Sequence, residues 1–77
     1  MKKKEPYKEE FDDIRVLIAE AKIRNNLNEV ELSRCLGIAP TTLASYKNNP
    51  AAMSIHHLFI ILELCEKEIQ YVEKRRR

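Results

Sequence analysis

The chain of 77 residues contains one glycine, Gly37, and Pro40 follows it three residues later inside the stretch VELSRCLGIAPTTLASYK, residues 30–47. A left-handed backbone is least costly at glycine, so the sharpest turn of this chain is expected there. Proline has no N–H and a fixed φ, which suits the first turn of a helix and excludes its interior. On either side of the pair the apolar residues return every three or four positions: Leu32 and Leu36 before it, Leu43 and Tyr46 after it. Two short helices joined by one tight turn follow from this pattern.

Helical periodicity extends to both sides. Phe11, Ile14, Leu17, Ile18 and Ala21 form one stripe, with Asp12, Asp13, Arg15, Glu20 and Lys22 mostly outside it. Pro6 suits a first turn, Glu9, Glu10, Asp12 and Asp13 favour the positive end of the helix dipole, and Asn25 and Asn26 end the helix. Asn28 is a good N-cap for the second helix, with Glu31 placed to complete a capping box. Leu27 and Leu32 bracket that cap as a hydrophobic staple, and the same offset recurs in Ile38 and Leu43 around Ala39 and in Met53 and Leu58 around Ser54.

The third helix is expected over about residues 40–47, stopped by Asn48, Asn49 and Pro50. Asn48 would take the left-handed cap, and Asn49 would be held extended by the proline after it. A fourth helix starts after Ser54, with Ile55, Leu58, Phe59, Ile61, Leu62 and Cys65 on a wide apolar face. The segment EKEIQYVEKRRR fits a short amphipathic helix through Ile69 and Val72, an edge strand being the alternative.

These elements predict an all-α domain of four to five helices over residues 6–69, with a basic arm at residues 1–5 and a basic tail at residues 70–77. A composition of 44% hydrophobic and 34% charged residues agrees with a small soluble helical domain. The formal net charge of +2 conceals an uneven distribution. Lys2, Lys3, Lys4, Lys74, Arg75, Arg76 and Arg77 supply seven of the 14 basic residues, so that residues 5–73 hold seven basic against twelve acidic side chains, a net of −5. An acidic body with basic ends results.

Several function classes are disfavoured. One glycine excludes a Gly-rich phosphate loop, and no pocket-forming arrangement of Ser, His and Asp is evident, so no enzyme and no cofactor are expected. Adjacent His56 and His57 project about 100° apart on a helix and cannot readily share a metal, so one half-buried and one exposed histidine are expected instead. Cys35 and Cys65 are thirty residues apart and lack zinc-site spacing. Both are read as reduced thiols of a cytoplasmic protein, Cys35 on the outer side of the second helix and Cys65 in the core. No apolar run approaches the roughly 18 residues of a membrane span, and no targeting segment is read at the N-terminus.

The spacing of Leu32, Ser33, Leu36, Gly37, Ile38, Leu43 and Tyr46 resembles the helix-turn-helix unit of the Cro/C1-type (XRE-like) DNA-binding family, over roughly residues 14–65. The resemblance implies a lambda-repressor-like architecture in which the third helix enters a major groove of double-stranded DNA. It implies Thr41, Thr42 and Ser45 near base edges, and Lys47, Asn48, Asn49 and Asn28 near phosphates. It also implies a homodimer on a palindromic operator, acting as a small phage or mobile-element repressor that occludes a promoter. Lys22, Arg24 and the basic ends would help neutralise phosphate.

Self-association is expected to use Leu64, Ile69, Tyr71 and Val72, unless Ile69 and Val72 pack under the first helix. The third helix carries no Arg or Gln for bidentate base contacts, and Glu29 stands where a phosphate would approach. These features, with the acidic body, keep a second reading open: a protein-interaction module on the same fold, such as an antitoxin-like, anti-repressor or host-inhibitor protein.

Overall fold

A computed structural model describes residues 7–70 of the chain. The element order is α1 (Lys8–Asn25), α2 (Glu29–Leu36), α3 (Pro40–Asn48), a 3-10 turn (Pro50–Ala52) and α4 (Ile55–Leu64). The described residues are all-helical, as expected.

Local chemistry explains the helix starts. The Asn28 side chain accepts from Glu31 N–H at 2.8 Å while the Glu31 carboxylate accepts from Asn28 N–H at 2.9 Å, a complete capping box on α2. Ser54 accepts from His57 N–H at 3.2 Å and caps α4. α3 begins with Ala39 at the cap and Pro40 at its first position, without a side-chain cap.

One hydrogen-bond pattern closes three of the four helices. After α1, Asn26 stands at φ 54°, with Asn26 N–H bonded to Ile23 O and Leu27 N–H to Lys22 O. Gly37 at φ 73° repeats the pattern after α2, with Gly37 N–H to Arg34 O and Ile38 N–H to Ser33 O. Glu66 at φ 56° repeats it after α4, with Glu66 N–H to Glu63 O and Lys67 N–H to Leu62 O. Each is a Schellman motif. Leu27 and Ile38 close one helix and stand just ahead of the cap of the next, so α1, α2 and α3 follow one another through very short links. Both are half-buried against the core.

That core joins Ile18 and Ala21 of α1, Leu32 and Leu36 of α2, Leu43 of α3, Ile61 of α4 and Cys65 just after it. Tyr46 and Leu62 are also buried. Ser33, buried beside the turn, satisfies its hydroxyl on Val30 O at 2.6 Å. Burial of this apolar surface is the main term holding the helices together, since α2, α3 and α4 are each too short to persist alone.

Three expectations are corrected. Asn48 is not a left-handed cap, because it is the last residue of α3, and the cap is Asn49, whose φ of −142° fits the extended conformation imposed by Pro50. Arg15 of α1 makes a left-handed cap unnecessary by donating to Lys47 O at 2.6 Å and Asn48 O at 3.2 Å. The helix expected through Ile69 is absent, since α4 stops at Leu64 and residues 67–70 form neither helix nor strand. There the side chain of Asn25 donates to Leu64 O at 2.9 Å, and Lys67 and Glu66 pair with Glu20 and Arg24 of α1. Leu64, expected in a self-association surface, is half-buried and packs against the core. Ile69 is exposed and does not pack under α1. Pro6, Tyr71, Val72 and the basic ends lie outside the described residues.

Candidate nucleic-acid interface

Pro40 and the extended Ala39 set α3 so that Leu43 and Tyr46 face the core and the opposite side faces outward. Thr41, Ala44, Ser45 and Asn48 are all exposed, at the spacing of one helical face. Thr42, expected on that face, is half-buried at its edge, and Asn49 is exposed just beyond the helix. Among the described residues, none of the side chains of Thr41, Thr42, Ser45, Asn48 or Asn49 has a hydrogen-bond partner. At the start of α3, Thr42 N–H and Leu43 N–H both reach Ala39 O, which leaves Thr41 N–H pointing out of the helix end.

Beside this polar face is an ion-paired cluster. Glu29, the first residue of α2, holds Lys47 Nζ of α3 at 2.5 Å and Lys22 Nζ of α1 at 3.6 Å, both on the same oxygen, Oε2. The Lys47 hydrogen bond and the charges of Lys22 and Lys47 hold the Glu29 carboxyl below its ordinary value, against the opposing effect of partial burial. Two of the cations expected to meet phosphate are thus already occupied by a carboxylate. Arg24 is likewise engaged, with Glu20 at 3.1 Å and Glu66 at 3.6 Å. Among the described residues, Arg34 alone of the basic side chains has no carboxylate within 4 Å.

Glu29 also brings the start of α2 to the end of α3, so that Asn28 and Lys47 belong to one region although nineteen positions separate them in sequence. The Asn28 carboxamide oxygen is committed to its cap, and its amide nitrogen remains as a donor. Two participants escaped the sequence reading. Ala44 was legible in principle, since it lies three residues after Thr41 and four before Asn48 on the same face. Arg15 carries no local signal: it reaches α3 across 32 residues of sequence.

Away from this region, His57 is half-buried with its Nδ1 at 3.0 Å from Tyr46 Oη, and His56 is exposed. Cys35 is exposed and Cys65 buried. No group of three or more metal-ligating side chains occurs among the described residues, and no helix there is long and apolar enough to cross a membrane. Compared with protein-family models, curated proteins and solved structures, the chain matches none of them.

Proposed function

We propose that the protein is a non-catalytic, sequence-specific DNA-binding regulator of the Cro/C1 helix-turn-helix type, with α3 in the major groove. The observation that carries this reading is the exposed stripe of Thr41, Ala44, Ser45 and Asn48, whose polar side-chain groups have no partner among the described residues. Thr and Ser give single hydrogen bonds to base edges, and the methyl groups of Thr41 and Ala44 suit the thymine methyl. Asn48 shares the stripe, so it is suited to the paired donor and acceptor of adenine rather than to phosphate alone. Asn28, Lys47 and Asn49 flank the stripe as backbone contacts. A homodimer would place two such helices about one DNA turn apart on a palindromic site and act by blocking a promoter.

Fluorescence anisotropy with a duplex obtained by selection and with random duplexes tests the reading. Replacing Thr41 and Ser45 together by Ala is expected to weaken binding to the selected duplex by roughly 5- to 160-fold, from about 0.5–1.5 kcal/mol for each of two lost hydrogen bonds. Binding to random duplexes should stay unchanged. Absence of salt-dependent binding to any duplex, even at low salt, sinks the proposal.

A second reading, a protein-interaction module on the same fold, draws on a specific observation: residues 7–70 carry seven basic and ten acidic side chains, and six of the seven cations are paired. It gains if the anisotropy experiment finds no DNA.

A further inference from the structure

We infer that Glu29 is an internal substitute for DNA phosphate, holding Lys22 and Lys47 until a backbone phosphate displaces it, and so setting the affinity and salt dependence of the α3 interface. This rests on the DNA-binding reading above. A single carboxylate oxygen receives two ammonium groups from two other helices, at 2.5 Å and 3.6 Å, which is the arrangement a phosphate oxygen would adopt between the same lysines.

The cluster is also accessible. The side chains of Lys22, Lys47 and Glu29 retain 29%, 37% and 36% of their exposure, so a ligand can reach them without unfolding any helix. It adjoins the α3 stripe through Lys47, the residue directly before exposed Asn48. Helix capping does not use this carboxylate. The capping box of α2 uses Asn28 and Glu31, not Glu29, and the end of α3 is held by Arg15.

The consequence is electrostatic. While Glu29 stays charged, the three groups carry a net +1, and a phosphate approaching Lys47 meets a carboxylate at hydrogen-bonding distance from the same nitrogen. A phosphate must therefore exchange with Glu29 rather than simply add. Such exchange lowers the number of counterions released from DNA and flattens the salt dependence of binding. It also suppresses binding to arbitrary sequence, since phosphate contacts carry no sequence information.

The test compares wild type, Glu29→Gln, Lys47→Ala and the double variant, each as the full chain, on one selected and one random duplex across about 0.05–0.2 M salt. With both lysines released, Glu29→Gln should bind both duplexes more tightly. The gain should be about 8-fold per cation at 0.1 M salt, and the log–log salt slope should steepen by about 0.9 per cation. Lys47→Ala should cost little in the wild type and about 8-fold in the Glu29→Gln background. Equal costs of Lys47→Ala in the two backgrounds, or a Glu29→Gln protein with wild-type affinity and slope, overturn the inference while leaving DNA binding intact. Failure of every variant and of the wild type to bind overturns the DNA reading itself. Far-UV circular dichroism checks that Glu29→Gln folds; Glu29→Ser, which also removes the charge, serves as the second variant and must show the same change in slope.

Discussion

Gly37, Asn26 and Glu66 occupy the same left-handed position after three helices, yet only the first is glycine. At Gly37 an added Cβ would meet nothing within 4 Å, so space is not what selects glycine there. The backbone conformation at φ 73° is, and Gly37→Ala is expected to destabilise the fold by about 1–2 kcal/mol. Thermal denaturation should show this as a fall of roughly 4–8 °C per kcal/mol for a domain of this size. Glu66 presents the converse. A carboxylate side chain at φ 56° carries the left-handed penalty that glycine avoids, and its pairing with Arg24 at 3.6 Å is too exposed to return much. Glu66→Gly should accordingly raise the melting temperature by a few degrees, in line with a gain of up to about 1 kcal/mol. A fall on making that substitution would mean that the Arg24 and Glu66 contact, or the added chain entropy of glycine, outweighs the strain.

Helix starts and helix ends differ in where their causes lie. The starts of α2 and α4 were legible because Asn28 with Glu31 and Ser54 are local signals, read within three residues. The end of α3 was legible to within a residue from Asn49 and Pro50, though its tie to Arg15 was not, and the end of α4 was not legible. Arg15 joins Asp12 Oδ1 at 2.7 Å to the last carbonyls of α3, and Asn25 takes the last carbonyl of α4 from 39 residues away. No breaker residue in positions 65–70 announces that end, so periodicity alone carried the expected helix on to Ile69. Arg15 places a planar cation at the negative end of the α3 dipole, where it can satisfy two carbonyls at once. Arg15→Met keeps the apolar stem and removes the fork. It should cost about 1–2 kcal/mol, less than a fully buried charged bond because the side chain is 39% exposed. The loss should also appear locally: exchange of the Asn49 amide, bonded to Ser45 O at 2.8 Å, should accelerate more than that of amides in the middle of α1. Equal acceleration in both places would assign Arg15 a purely global role.

For the molecule as a whole, the uneven charge along the chain was legible but its pairing was not, since the partners lie up to 47 residues apart. Three carboxylates each gather two cations: Asp12 takes Lys8 and Arg15, Glu20 takes Arg24 and Lys67, and Glu29 takes Lys22 and Lys47. The hydrogen bond from Lys8 on Asp12, from Lys67 on Glu20 and from Lys47 on Glu29 is the leading cause that holds each of these groups below its ordinary value. A carboxyl whose folded value is depressed contributes stability above its unfolded value and loses it as pH falls through the folded one. Stability should therefore be flat near neutral pH and decline from about 4.5, the ordinary glutamate value, downward. At the other extreme, burial pushes the Cys65 thiol above its ordinary 9.0, so that stability present below that value should be lost as pH rises beyond it. Salt separates the two effects. The paired carboxylates are exposed enough to be screened at about 1 M, where the Debye length is about 3 Å, while the cost of ionising a buried thiol owes little to mobile ions. Urea midpoints measured from pH 3 to 10 at about 0.05 M and 1 M salt should show an acid limb that becomes shallower with salt and an alkaline limb that does not. An acid limb unchanged by salt would show that these ion pairs add nothing to folding.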